Sequence, residues 1–205
     1  MDFEKIDSYL KENLNEFRYQ HTLRVVDMGI ILANKHGYDD ILKVKLACYF
    51  HDAGKNLSPN KILDMVSNEG YKLTCEEIEN VHIYHGVASM IIARDKFNIN
   101  DMEVLNAIKN HVTGVEKMTI LDKIVFLADF FEMGRDFDRV HKSRDAAIID
   151  LNLDEALILA YDSTINELVS KRRFIHENTI RARNFILKKL NNCCWWKEFL
   201  KAWIF

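Results

Sequence analysis

The chain has 205 residues, which favours one domain when a typical domain runs to roughly 150 residues. Its seven glycines and one proline fall far below the roughly 25 that average usage would give, so turns are few and an all-β fold is disfavoured. Twenty-eight Lys and Arg against 31 Asp and Glu leave a net charge of −3, without the global positive field of a nucleic-acid binder.

Apolar residues recur at helical spacing in nearly every segment, as in Leu42, Leu46, Tyr49, Phe50 and in Leu121, Ile124, Val125, Ala128. The pattern predicts an all-α helical bundle, with helices over 2–16, 18–36, 40–54, 59–68, 74–97, 100–112, 119–133, 142–149, 153–171 and 178–191. Gly37, Pro59, Gly70, Gly114 and Gly134 fall at the breaks. With no repeat or linker, residues 1–192 read as a single domain. A Trp-rich tail at 193–205 is expected to dock on the body, to enter a homodimer contact or to lie on a membrane surface. No apolar run nears the roughly 18 residues of a membrane span, and the first residues lack a signal peptide's apolar stretch, so a cytoplasmic location is expected. Cys48, Cys75, Cys193 and Cys194 show no metal-binding spacing and read as reduced thiols.

The informative residues are polar groups on faces that otherwise read as core. His21 shares a helical stripe with Val25, Met28 and Leu32. His51 and Asp52 stand side by side near a helix end, with Lys55 one turn on. His85 follows Ile78 and Val81 and precedes Ser89 and Ile92. His111 follows Val104 and Ile108, and Asp129 lies on the face of Leu121 and Val125. A lone carboxylate or imidazole there is costly to bury. Six together, four imidazoles and two carboxylates, are satisfied at once by a bound cation, and nitrogen and oxygen donors without thiolate suit first-row divalent ions. His36, His82 and His141 read as helix-end or surface residues, with His82 a candidate support for His85.

The order His21, His51-Asp52, Asp129 resembles the H…HD…D signature of the HD-domain metal-dependent phosphohydrolases. His21-Thr22-Leu23-Arg24-Val25, His51-Asp52-Ala53-Gly54-Lys55, Asn110-His111-Val112-Thr113-Gly114, Leu127-Ala128-Asp129 with Arg135, and Arg181-Ala182-Arg183-Asn184 are similar to the YqeK-like branch, the symmetrical diadenosine tetraphosphatases of bacteria. The resemblance implies an HD-domain helical bundle that hydrolyses diadenosine tetraphosphate to two ADP by a metal-bound hydroxide. It also implies a centre of one or two ions, with iron first and manganese or cobalt as alternatives. On that resemblance His21, His51, Asp52 and Asp129 are metal ligands, and His85 and His111 bind a second metal or phosphate. Asp52, Lys55 and Arg135 are then catalytic. The substrate side comprises His21, Arg24, His85, His111, Val112, Thr113, Asp129 and Arg135, together with the basic stretch Arg172, Arg173, Phe174, Ile175 and His176. The Trp-rich tail departs from the pattern.

Metal-bound water supplies a nucleophile near neutral pH, and the two oxygens of Asp52 suit it to bridge two ions. A tetraphosphate needs fixed cations, which Arg24, Lys55 and Arg135 offer. Two other readings stay open: an HD-domain nucleotidase or phosphodiesterase on a different nucleotide, and a non-catalytic nucleotide-binding sensor.

Overall fold

The computed structural model describes residues 2–191, so the expected tail over 193–205 lies outside the described residues. Among the described residues eleven α-helices follow in order: α1 (Phe3–Asn13), α2 (Glu16–Lys35), α3 (Ile41–Phe50), α4 (Pro59–Asn68), α5 (Cys75–Glu79), α6 (His85–Phe97), α7 (Met102–Asn110), α8 (Ile120–Phe131), α9 (Asp138–Ile148), α10 (Leu153–Ser170) and α11 (Glu177–Asn191). A 3-10 turn at Val81–Tyr84 joins α5 to α6. No strand occurs among the described residues, in agreement with the all-α expectation.

Side-chain caps set where the central helices begin. Asn15 accepts from the Arg18 N–H at the start of α2, and Asp40 from Lys43 at the start of α3, each satisfying a donor the first turn leaves unpaired. Thr119 and Asp122 form a reciprocal capping box on α8. The Asp122 carboxylate also accepts from the Asn110 amide at 3.0 Å, which ties α7 to α8.

Helix α2 lies against α3 and α8, α6 packs on α7, and α7 on α8. Helices α9, α10 and α11 form a second layer, with α10 touching α8, α9 and α11. The stripe of Val25, Met28 and Leu32 is fully buried against Val44, Ala47, Leu121, Ile124 and Val125 in one continuous core. Leu42, expected on the buried stripe of α3, is instead 49% exposed, and Phe50 and Val44 take the inner face.

The single helix expected over 74–97 is broken. The Asn80 side-chain amide donates back to the Glu76 carbonyl at 2.8 Å, a local bond that competes with helix continuation. Ile78 is therefore 45% exposed and does not share a helical face with His85, which opens α6. Helix α3 ends at Phe50 rather than residue 54, so His51 and Asp52 stand in the turn that follows, and α9 starts at Asp138 rather than 142.

Candidate metal centre and nucleotide cleft

Three of the four inward histidines are oriented by their own backbone. His51 Nδ1 meets the Cys48 carbonyl at 2.7 Å, His85 Nδ1 the His82 carbonyl at 2.8 Å, and His111 Nδ1 the Ile108 carbonyl at 2.7 Å. A carbonyl only accepts, so each Nδ1 carries the proton and each Nε2 presents a lone pair. His21 lies inside α2, where Nδ1 meets the Glu132 carboxylate at 3.3 Å.

The Nε2 atoms converge. Those of His21 and His51 lie 3.4 Å apart, and those of His85 and His111 lie 3.2 Å apart. Asp52 stands between the two pairs. Its Oδ2 lies 3.6 Å from His51 Nε2 and 3.9 Å from His21 Nε2, while its Oδ1 lies 2.9 Å from His85 Nε2 and 3.7 Å from His111 Nε2. Asp129 Oδ1 adds a contact of 3.0 Å to His21 Nε2 and 3.9 Å to His51 Nε2.

All four rings and Asp52 are buried. Burial pushes the His51 and His85 imidazoles down to about 4, so both are neutral at pH 7. Against the opposing effect of burial, the Arg135 guanidinium holds the Asp129 carboxyl well below its usual range, and Asp52 is likewise held low. Neutral lone pairs facing one another and two carboxylates are mutually repulsive in a dry site, and a divalent cation turns those contacts into bonds. Two donor triads, His21–His51–Asp129 and His51–Asp52–His111, each gather their ligand atoms within 4.8 Å. With His85 they make a nitrogen and oxygen donor set that fits a divalent metal site.

Cationic side chains surround these donors. Arg18 donates to Asp52 Oδ2 at 2.9 Å, Lys55 Nζ lies 3.2 Å from His85 Nε2, and Arg135 donates to Asp129 Oδ1 at 2.9 Å. All three line a cleft of about 260 Å³ together with Asp52, His85 and Asp129. Val112, Thr164 and Thr179 carry that cleft into a hollow of about 710 Å³, which Thr113, Arg172, Arg173, Phe174 and His176 also line. Ile175 follows Phe174 in the same loop. His176 Nδ1 accepts from the Asn178 N–H at 3.1 Å, so its Nε2–H points to Glu77 Oε1 at 3.1 Å, where the Tyr84 hydroxyl also donates at 2.6 Å.

Arg24 is placed differently from the phosphate-side expectation. Its guanidinium donates to Glu132 at 2.6 Å and is absent from the lining of the cleft. Of the remaining histidines, His36 bonds the Ala147 carbonyl at 2.8 Å and His141 pairs with Asp136 at the surface. His82 supports His85 through its backbone carbonyl alone. Two residues escaped the sequence reading, Arg18 and Glu132. Arg18 stands three residues before His21 and Glu132 three residues after Asp129, one helical turn from a donor in each case, and that spacing was the available signal.

Comparison with known proteins agrees with this geometry. The family described as HD domain matches residues 18–134. The chain is 36% identical to the symmetrical bis(5'-nucleosyl)-tetraphosphatase of Halalkalibacterium halodurans, over 87% of this chain and 93% of that protein. It is also 36% identical to the protein of the same name from Staphylococcus aureus, over 90% and 94%. The crystal structure of a predicted HD superfamily hydrolase involved in NAD metabolism from Clostridium acetobutylicum superposes with a TM-score of 0.87 at 41% identity, covering 92% of this chain and 98% of that one. The family match spans more than half of the chain and the two relatives nearly all of it: this protein belongs to the HD-domain family.

Proposed function

We propose that the protein is a symmetrical bis(5'-nucleosyl)-tetraphosphatase that hydrolyses diadenosine tetraphosphate to two ADP. The observation that carries the reading is Asp52, with each carboxylate oxygen turned to a different pair of imidazole lone pairs. The names of the two relatives that cover nearly the whole chain support the substrate. One divalent ion would be held by His21, His51 and Asp129 and a second by His85 and His111, with Asp52 able to offer one oxygen to each. Iron is the first candidate, with manganese and cobalt as alternatives. Bound there, such ions lower the pKa of a coordinated water and neutralise phosphoryl oxygens.

The protein's own residues do the rest. Arg18, Lys55 and Arg135 place three positive charges along the cleft wall, which offsets the charge of a tetraphosphate that an overall negative chain would otherwise repel. Arg135 presents a planar fork suited to two phosphate oxygens, and Lys55 a point charge. Arg172 and Arg173 extend the basic wall beyond the cleft, where Val112, Thr113, Phe174 and His176 supply surface for a nucleoside. His85, His111 and Asp52 form a buried floor to the cleft.

The test is a nucleotide panel offered to protein purified anaerobically with ferrous iron, with products identified by chromatography. The panel contains diadenosine tetraphosphate, nucleoside mono- and triphosphates, cyclic dinucleotides and a pyrophosphate-linked dinucleotide. ADP as sole product from the tetraphosphate is expected. A preference of roughly tenfold or more in kcat/KM for another member overturns the assignment, since that ratio measures differential transition-state binding.

A further inference from the structure

His21 differs from the other three rings in what orients it. His51, His85 and His111 use a backbone carbonyl three residues back, at or near a helix end. His21 sits within α2, where carbonyls are already engaged by the helix ladder, so its Nδ1 needs a side-chain acceptor. Glu132, 2% exposed at the C-terminus of α8, is that acceptor.

The same carboxylate has a second task. Oε1 faces His21 Nδ1 at 3.3 Å, while Oε2 accepts from Arg24 Nε at 2.6 Å and from the Gly134 N–H. The Glu132 carbonyl accepts from the Arg135 N–H at 2.9 Å. A Cβ at Gly134 would stand 2.5 Å from Arg24 Nε and 2.9 Å from Glu132 Oε2, so the turn closes tightly over the Arg24–Glu132 pair. From the other side Arg144 Nη2 donates to the carbonyls of Phe131, Glu132 and Arg135 at 3.0, 3.3 and 2.7 Å. The turn so held delivers Arg135 to the cleft, 2.9 Å from Asp129.

We propose that Glu132 is a positioning residue that ties the ring of His21 to the turn carrying Arg135, so that one buried carboxylate sets both a donor and a phosphate-side cation. This rests on reading the converging donors as a metal centre. Nothing in it requires a particular nucleotide, because the first measurement uses none.

The experiment titrates metal-stripped full-length protein with Mn²⁺, followed by the loss of the free-ion electron paramagnetic resonance signal. Glu132→Gln places an amide donor where one of the two acceptor oxygens stood, so it cannot serve both His21 and the Gly134 turn. Its Mn²⁺ affinity is expected to fall by about 10–100-fold, the usual effect of losing a group that orients a metal-binding histidine. At saturating Mn²⁺ its KM for diadenosine tetraphosphate is expected to rise by roughly tenfold, the scale of one charge-assisted hydrogen bond.

Glu132→Asp keeps the charge opposite Arg24 but is one carbon too short to reach both sides, and it carries the test if the amide variant fails to show wild-type helical circular dichroism. Wild-type Mn²⁺ affinity in either folded variant overturns the link to His21, and an unchanged KM at saturating Mn²⁺ overturns the link to Arg135. A wild-type protein that binds Mn²⁺ but leaves diadenosine tetraphosphate intact with ferrous iron as well as with Mn²⁺ would overturn the proposed function and leave the affinity result standing.

Discussion

Alanine in place of Gly114 strikes both the core and the cleft. Gly114 follows Val112 and Thr113, adopts φ +71°, and donates its N–H to the Asn110 carbonyl at 2.7 Å to close the end of α7. A left-handed conformation costs an L-residue about 1–2 kcal/mol. The added Cβ would also stand 1.7 Å from the Tyr161 hydroxyl and 2.9 Å from Cζ. Tyr161 is fully buried and packs on Phe126 at 4.8 Å between centroids, so the ring can yield only by disturbing that packing, and such overpacking costs about 1–3 kcal/mol. The two effects together come to about 3 kcal/mol, which for a domain of this size lowers Tm by roughly 6–12 °C. Tyr161 and Val112 also line the cleft, so KM should rise in parallel. Circular dichroism melts of Gly114→Ala, Tyr161→Phe and the double variant provide the assay. Removing the hydroxyl deletes the atom in closest conflict, so Tyr161→Phe should restore part of the loss. A Gly114→Ala protein melting within about 2 °C of wild type, or a double variant that recovers nothing, would refute the reasoning.

Removing metal should lower Tm by about 5–11 °C for each ion present at 100 times its Kd, where binding at one site contributes about 2.7 kcal/mol; a chelated protein that melts unchanged would count against the centre. The metal-free protein should also lose stability on acidification. His51 and His85, depressed by burial to about 4 from an ordinary 6.5, stay neutral when folded and protonate when unfolded. The unfolded chain therefore binds more protons between those values, and stability present above pH 6.5 is lost as pH falls towards about 4. Urea midpoints that stay level across that window would contradict this. Arg135→Lys keeps the charge but loses the planar fork, so kcat/KM should drop by roughly tenfold while Mn²⁺ affinity holds; steady-state kinetics beside the metal titration checks both. Asp52→Asn should eliminate turnover in a protein with native helical content, and retained activity would remove Asp52 from its bridging place.

Much of the donor set could be read from periodicity because burying an imidazole or carboxylate on an apolar stripe is expensive. The costly groups His21, His111 and Asp129 stood out against Val25, Ile108 and Val125. The breaks in helices were less legible. The interruption at Asn80 depends on a side-chain amide capturing the Glu76 carbonyl, and apolar spacing carries no trace of that competition. Arg24 and Arg18 show a second limit. Both lie one turn from His21, on opposite sides of it in sequence, and nothing local says which guanidinium reaches Asp52. The choice is made by Glu132, more than a hundred residues further on, which takes Arg24 and leaves Arg18 to the cleft.

The separation between His21 and Glu132, 111 residues, bears on how the centre comes into being during synthesis. Three rings can adopt their working tautomer as soon as their own helix ends have formed. The fourth must wait until α8 and the turn beyond it have left the ribosome and packed against α2. A half-made chain would therefore present His21 and His51 to an ion without Asp129 and without the support for His21, a weaker trap than the finished donor set.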